Sequence, residues 1–565
     1  MTISAFPPGA VLVLGAFLLP FAGARLRPAL MLGLPLVTLW FVWDLPEGAS
    51  AAVRMLDYEL VIVRSDALGR LFAIIFSLMA FAGVLFALRQ KSVLELVATM
   101  VYAGAAVGVA LAGDLVTLFV FWEIMAIASS TVLLAAGGGR STRVAMRYFQ
   151  VHMAGGALLM SGILVHVAAS GSIAFGAVGA GTIGGAMILA GFLLNAAAPP
   201  LSAWLPDAYP EASYSGTVFL SAFTTKAAVC VLIRGFPGTE ILVWVGLFMI
   251  FYGIIYALLE NDIRRILAYS IVNQVGFMVV GVGIGTEMAL NGAAAHAAAH
   301  IIYKALLLMS AGAVLYQTGK RKCTDLGGLF QSMPVTTVCG VIGALTISSF
   351  PWTSGFVSKS MIGQAAGDEH LAVAWFLLTA ASAGVFLHAG IKFPWFVFFQ
   401  TDSGLRPPDP PWNMQAAMIL FAALCIGLGI WPEPLYALLP YPVDYVPYTA
   451  AHVVNMLQLL MFSGLAFFLM LPLMRRTLTI TLDIDWFYRR LGARMAKRCT
   501  ESARRSHALI RRSAHDGYGR VAVLTRHWCG EDSKLGSVQT VGATIAIALF
   551  VFALILLWEL LTTLA

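Results

Sequence analysis

The sequence predicts an all-α polytopic membrane protein of about 14–16 transmembrane helices. Three observations carry this. Of 565 residues, 60% are hydrophobic and only 11% charged, whereas soluble chains carry about 25% charged residues. Apolar stretches of about 20 residues, long enough to span a hydrocarbon core, return along almost the whole chain. Lys and Arg gather in alternate loops.

Taken in order, the apolar stretches fall at roughly 9–24, 29–43, 71–88, 93–112, 115–136, 152–169, 183–205, 214–235, 240–259, 266–285, 291–316, 334–360, 370–399, 414–432, 449–474 and 538–562. Between the first and second lie Arg25 and Arg27, between the third and fourth Arg89 and Lys91, and between the fifth and sixth Arg140, Arg143 and Arg147. Arg264 and Arg265, then Lys320, Arg321 and Lys322, then Arg406, and finally a dense basic stretch from Arg475 to Lys534 continue the pattern. All are odd-to-even loops. The alternate short loops are nearly free of Lys and Arg, Arg234 being the main exception. The positive-inside rule places the odd-to-even loops in the cytoplasm and both termini on the opposite side. The start, MTISAFPPGA, has no basic region before its apolar run, so no cleavable leader is expected.

The net charge of +7 sits in loops and one late segment, so it is not a nucleic-acid signal. Cys230, Cys323, Cys339, Cys425, Cys499 and Cys529 have no metal-ligand spacing. No metal, cofactor or disulfide framework is expected.

Two regions resemble each other. The first is LAGFLLNAAAPPLSAWLPDAYPEASYSGTVFLSAFTTK, which holds Asn195 and Lys226; the second is LTISSFPWTSGFVSK with AGIKFPWFVFF, which holds Lys359 and Lys392. The separation within each pair is nearly the same. Pro199 and Pro200 interrupt the first apolar run, and Pro351 and Gly355 the second. Interruptions in corresponding halves point to a transport site, because backbone groups freed by a break are tolerated only inside protein or beside water. A simple packing kink is the alternative. The two regions are five helices apart, an odd number, which inverts one relative to the other.

The ionisable residues inside these oily segments are the functional signal. A charge at mid-membrane costs at least about 2.5 kcal/mol and marks an ion or proton path by default. Glu123 lies in LVTLFVFWEIMAIASSTVLL and is expected to face the bundle and a cation, as a transport group or a structural ion pair. Lys226 lies beside Ser221, Thr224 and Thr225, whose hydroxyls can solvate it; snorkelling is the alternative. His296, His300 and Lys304 stand at i, i+4 and i+8, which makes one stripe about 12 Å long. Histidine exchanges protons near neutral pH, so the stripe suits a relay. Zinc binding by the two histidines and polar glue between helices are the other readings. Lys359 and Lys392 complete the set. Arg264 and Arg265 read as topology-setting surface charges, and His152 and His388 as interfacial histidines.

Six segments then carry a resemblance: DLVTLFVFWEIM, SAWLPDAYPEA, DIRRILAYSIVNQVGFMVVGVGIGT, HAAAHIIYKALLLMSAGAV, TDLGGLFQSMP and FPWTSGFVSK. In this order, over roughly residues 90–400, the chain resembles the antiporter-like subunits shared by respiratory complex I, membrane-bound hydrogenases and Mrp-type cation/proton antiporters. The likeness is strongest to the D-type Mrp subunits. The resemblance implies two inverted five-helix repeats, each containing a broken helix, and a hydrophilic axis along the membrane midplane, to which Glu123, Lys226, His296, His300, Lys304 and Lys359 map. It also implies a lysine where this chain has Asn195, so the first half-channel is the altered one. The expected organisation is 1–88 N-terminal helices, 89–235 first repeat, 240–400 second repeat, 401–475 C-terminal helices, 476–537 a basic cytoplasmic or surface segment, and 538–565 the last helix.

The resemblance implies a transporter subunit rather than an enzyme, in a bacterial inner membrane. Its expected partners are other membrane subunits, H⁺ with Na⁺ or K⁺, and anionic lipid at the basic segment. Two other readings stay open: a proton-pumping subunit of a complex I-like or hydrogenase-linked complex, and a structural or energy-coupling partner in a system such as inorganic-carbon uptake.

Overall fold

The computed structural model describes residues 2–3, 6–55, 57–472, 483, 486–530, 533 and 540–563. They fall into two compact units, Met1–Ile484 and Asp485–Ala565. The first contains β1 (Thr2–Ile3), α1 (Pro8–Ala16), α2 (Leu26–Trp43), β2 (Ser50–Met55), β3 (Tyr58–Arg64), α3 (Ala67–Ala87), α4 (Val93–Leu111), α5 (Leu115–Ala135), α6 (Gly139–Ser170), α7 (Ile183–Asn195), α8 (Trp204–Ala208), α9 (Gly216–Leu220), α10 (Thr224–Gly235), α11 (Ile241–Leu259), α12 (Ile263–Ile284), α13 (Glu287–Thr318), α14 (Pro334–Ile347), α15 (Ser354–Asp368), α16 (Ala372–Val385), α17 (Trp412–Ile430), α18 (Glu433–Tyr436) and α19 (Ala450–Leu469). The second contains α20 (Ala493–Cys529) and α21 (Val541–Thr563).

Helix starts follow side-chain capping. Asp66, Ser92, Asp114, Thr182, Asp262, Thr286 and Thr449 each accept a backbone N–H of the first turn of their helix. Helices α6, α12 and α13 end on Gly171, Gly285 and Gly319 in the left-handed conformation. Among the described residues, thirteen helical segments are long and apolar enough to cross a membrane. The apolar helices α7 and α14 are shorter, and both stop at a break. Helices α12 and α13 form the buried heart of the first unit. Helix α11 packs on α12 through small residues: a Cβ at Gly246 would stand 2.6 Å from Gly276 O, and one at Gly276 would stand 2.7 Å from Gly246 O.

Several expectations need correction. The stretch 183–205 is not one helix; its helix ends at Asn195. The Lys226 segment is also broken, between Leu220 and Thr224. The stretch 370–399 widens into π-helical turns over Phe386–Lys392 and Trp395–Phe399. A small antiparallel sheet, in the order β1-β2-β3, joins α2 to α3, and no alternation in the sequence announces it. It is tied to the bundle where Val61 N donates to Asp114 Oδ2 at 2.7 Å.

Arg234 is not a loop charge. Its side chain is buried and donates twice to the Asp66 carboxylate, at 2.8 and 2.9 Å, and once to Ala110 O. Arg264 is not a surface charge either. It is buried and donates to the carbonyls of Tyr209, Pro210, Ala212 and Ser213, which clamps the turn between α8 and α9. Arg265, by contrast, pairs with Glu260 at 3.2 Å.

Of the basic segment 476–537, residues 476–482, 484–485, 531–532 and 534–537 lie outside the described residues. The rest is dominated by α20, 37 residues with none buried, equivalent to about 55 Å of helix.

Candidate functional site

The site is built on helix breaks. At the end of α7, Ala197 takes φ 60°, Ala197 N donates to Leu194 O at 3.0 Å, and Ala198 N to Leu193 O at 3.0 Å. At the end of α14, Ser349 takes φ 59°, Ser349 N donates to Thr346 O at 3.1 Å, and Phe350 N to Leu345 O at 3.0 Å. Both are the same Schellman closure, made without glycine. The matching positions are therefore Ala197 and Ser349. Asn195 precedes its break and Lys359 follows its own, so the equivalence of Asn195 with Lys359 suggested by spacing does not hold at the level of the backbone.

Three lysines end on helix carbonyls. Lys226 Nζ donates to Ser221 O at 2.6 Å, at the end of α9, and to Thr225 Oγ1 at 3.0 Å. Lys359 Nζ donates to Ile347 O at 2.7 Å, the last residue of α14, and lies 4.9 Å from the centre of the Phe277 ring. Lys392 Nζ donates to Ala257 O, Leu258 O and Glu260 O at 2.7, 2.8 and 2.6 Å, the end of α11. The last carbonyls of a helix lack intrahelical donors and carry about half a negative charge. An ammonium placed there satisfies them and is stabilised in return. This explains how a cation is held in so apolar a bundle.

Helix α13 supplies the centre. His296, His300 and Lys304 are all 0% exposed and share one face, as the four-residue spacing requires. His296 Nδ1 meets Ser358 Oγ at 2.9 Å, and its Nε2 meets Gln274 Oε1 at 3.2 Å. Tyr303 OH donates to the same Gln274 oxygen at 3.0 Å. Lys304 Nζ donates to Ser270 Oγ at 2.8 Å. Neither ring nitrogen of His300 has a hydrogen-bond partner among the described residues. His300 is within electrostatic reach of Lys226, Lys304, His296 and Lys359. The fold thus gathers Lys226, the α13 stripe and Lys359 into one group. Among the described residues, no cluster of three or more His, Cys, Asp or Glu side chains is arranged to hold a metal.

Lys392 joins this group through His388. The latter is buried, binds Gly384 O through Nδ1 at 2.8 Å, and interacts electrostatically with Lys304, Lys392 and Lys359. It is therefore not the interfacial histidine that its sequence context suggests. The π-helical winding around it, which no residue type announces, is what turns it inward.

Glu123 stands apart. Among the described residues it has no ion pair, and its Oε1 is buried without a hydrogen-bond partner, against Gly156 of α6. No described cation pairs with Glu123, and α7 carries Asn195 where the resemblance implies a lysine. Asn195 Oδ1 instead meets His152 Nδ1 at 2.9 Å. His152 is buried against Tyr148 and Trp204 and is not interfacial. The apolar run in the sequence begins at His152, but α6 begins at Gly139, which puts the histidine in the helix interior.

A cavity of about 690 Å³ opens beside Lys359. Polar side chains of three helices line it, including Ser360 and Gln364 of α15, Thr379 of α16, and His452 and Asn455 of α19. Lys359 therefore has a partly polar approach, while Lys304 and His300 do not border it.

A sequence-family model, NADH:quinone oxidoreductase/Mrp antiporter transmembrane region, matches residues 112–386. The chain is 30% identical to the N subunit of the NADH-quinone oxidoreductase of Desulforudis audaxviator, over 57% of this chain and 70% of that protein. It is 26% identical to the D subunit of the Na(+)/H(+) antiporter of Alkalihalophilus pseudofirmus, over 75% of this chain and 93% of that one. It is 30% identical to the A/B subunit of a probable K(+)/H(+) antiporter of Rhizobium meliloti over 59% of this chain, but spans only 36% of that longer protein. Among solved structures, a chain of the archaeal membrane-bound sulfane sulfur reductase covers 97% of this chain with a TM-score of 0.71 at 24% identity. One of the Mrp complex from Dietzia sp. covers 81% with a TM-score of 0.66 at 20% identity. These last two establish the fold. Because it covers more than two thirds of the Desulforudis relative and the family model spans most of its site helices, this multi-span membrane protein belongs to the NADH:quinone oxidoreductase/Mrp antiporter family.

Proposed function

We propose that this chain moves protons across the membrane as one subunit of a multisubunit monovalent cation/proton antiporter, resembling the D-type Mrp subunits. One observation carries the reading: Lys226, His300, Lys304 and Lys359 form a buried, mutually interacting row, and the terminal ammonium groups of that row rest on helix-end carbonyls. Like charges in a low-dielectric interior repel strongly. Protonating one member therefore raises the cost of protonating the next, and a proton arriving at one end favours departure from the other. His296 and Lys392 extend the row, and Glu123 acts beside it. The cavity at Lys359 supports entry or exit there.

The rest of the arrangement follows as part of the same reading. Residues 89–235 and 240–400 act as two inverted modules, for which the shared closure at Ala197 and Ser349 is support. The odd-to-even loops face the cytoplasm of a bacterium, with both termini outside. The transported partner of H⁺ is Na⁺ or K⁺. The chain works with other membrane subunits and is a transporter component rather than a catalyst. Helix α20, with its exposed Arg pairs and exposed Leu509, Ile510, Val521 and Trp528, rests on anionic lipid.

The test is direct. In vesicles holding the whole complex, Lys226→Ala or Lys304→Ala is expected to lower cation-driven proton flux by on the order of a hundredfold, the low end for removing a positioned proton-transfer group. Wild-type flux from an intact complex would sink the relay. A redox-linked proton pump would use the same row, and the 30% identity to a quinone oxidoreductase subunit favours keeping it as the second reading. Co-purifying redox subunits would select it.

A further inference from the structure

A second cavity, of about 660 Å³, lies among connections at the ends of the helices, away from the buried lysines. The turn after α2 supplies Glu47, the first turn of α3 supplies Arg70, and α18 supplies Glu433 and Tyr436. Sites for small molecules are about 300–1,000 Å³ in size, so the space suits a ligand or a headgroup.

The sequence sets the depth of this cavity in the membrane. Helices α2, α3 and α17 are each long and apolar enough to span it. Trp43 is the last residue of α2, Trp431 follows the end of α17, and both are exposed. Tryptophans at helix ends sit at the level of the lipid headgroups. Glu47 comes one short turn after Trp43, and Glu433 almost directly after Trp431. The cavity therefore borders the headgroup layer.

Its polar groups are unmatched. Arg70 Nε and Tyr436 OH are buried and have no hydrogen-bond partner. Asp66, the carboxylate one turn before Arg70, is taken by Arg234 and Arg64. Glu47 and Glu433 border the same cavity, yet among the described residues no carboxylate forms an ion pair with Arg70. Glu433 is within electrostatic reach of Tyr436. Buried polar atoms in native proteins are nearly always paired. Two donors without an acceptor call for the oxygens of an anion, and two carboxylates without a cation call for a positive group. A ligand that answers both carries both charges.

The site is also preformed. Pro432, Pro434, Pro440 and Pro442 stiffen the segment behind α18. Asn291 of α13 then holds it: its Nδ2 donates to Tyr441 O at 2.9 Å, and Tyr441 N donates to its Oδ1 at 3.1 Å. A wall fixed in advance loses little entropy when a ligand binds.

We propose that this cavity binds a phosphoethanolamine headgroup. The phosphodiester oxygens accept from Arg70 and Tyr436, and the ammonium donates to Glu47 and Glu433. A guanidinium matches phosphate oxygens in geometry and charge. A primary ammonium has three N–H donors for the carboxylates. The quaternary nitrogen of choline has none, and a glycerol headgroup has no positive charge, so the site selects phosphatidylethanolamine over both. The exposed tryptophans favour the lipid over a soluble source of the same group. Proton transport is not a premise of this site.

The experiment titrates the delipidated, purified complex with phosphatidylethanolamine, phosphatidylcholine or phosphatidylglycerol and counts bound lipids by native mass spectrometry. Wild type is expected to take up phosphatidylethanolamine at concentrations about tenfold below those of the other two. Arg70→Gln should raise that concentration by at least about tenfold; it breaks no side-chain hydrogen bond among the described residues, so the fold is kept. Tyr436→Phe should act in the same direction and replaces it if Arg70→Gln does not assemble. Glu47→Gln combined with Glu433→Gln should remove the preference over phosphatidylcholine. Glycerophosphoethanolamine serves as a soluble competitor: displacement assigns the site to the headgroup alone, and no displacement assigns it to the intact lipid. Equal uptake of the three lipids by wild type overturns the site, as does uptake by both Arg70→Gln and Tyr436→Phe that matches wild type. Since no arm measures flux, that failure would leave the transport reading standing.

Discussion

The breaks after α7 and after α14 turn the chain by the same closure and then offer their last-turn carbonyls to different donors. At the second, Ile347 O receives the ammonium of Lys359. At the first, Leu194 O, which already accepts Ala197 N, also receives the indole N–H of Trp204, and the neighbouring polar side chain, Asn195, reaches away to His152. One break presents a charge to the bundle interior; the other is sealed by an aromatic ring. Backbone geometry and chemical role are thus separable: a broken helix creates a carbonyl site for a cation, and the sequence decides whether a cation is put there.

The largest effect should come from the charged break. Lys359→Gln keeps a donor for Ile347 O but cannot titrate, and proton flux in vesicles is expected to fall by on the order of a hundredfold. Trp204→Phe, the matching change at the sealed break, removes a neutral hydrogen bond and part of a buried ring that packs on Tyr148, His152 and Tyr209. It should cost about 2–3 kcal/mol of stability, read as a lower melting temperature in detergent, with flux changed far less. Equal flux losses in the two variants would remove the distinction between the breaks. The shared geometry is tested by Ala197→Gly and Ser349→Gly. A non-glycine residue in the left-handed region costs about 1–2 kcal/mol, partly offset by glycine's greater chain entropy. Each variant should therefore gain roughly 0.5 kcal/mol, and opposite signs would show that the closures are not equivalent.

The smallest effect concerns the loop leading out of the second region. Two hydrogen bonds from Arg406 hold the exposed Asp402 carboxyl below the usual carboxylate range. A depressed folded-state value means that the contribution is fully present above the unfolded value of about 3.9 and is lost as pH falls further. Protease cleavage of residues 401–411 should rise as pH drops from 5 to 2.5, and Asp402→Asn should flatten that dependence.

Much of the site was legible because its signals are local. His296, His300 and Lys304 share a face through helical spacing alone, and a lysine amid apolar residues announces its own importance. The membrane class, the number of apolar segments and the family resemblance likewise need only composition, length and order. The proline-marked breaks near residues 199 and 351 could be anticipated too. The break before Lys226 could not, since Ser221, Ala222 and Phe223 include no proline or glycine, and neither could the π-helical turns that bring His388 inward.

What only the tertiary structure decided is who meets whom. Arg234 and Arg264 read as loop charges until packing from distant segments, Asp66 for one and the carbonyls of residues 209–213 for the other, buries them. Glu123 read as half of an ion pair, yet its neighbour is the bare backbone of Gly156. The reason is physical: burial of a charge is decided by partners far away in sequence, so the chain by itself fixes which residues must be explained, and the fold fixes the groups that explain them.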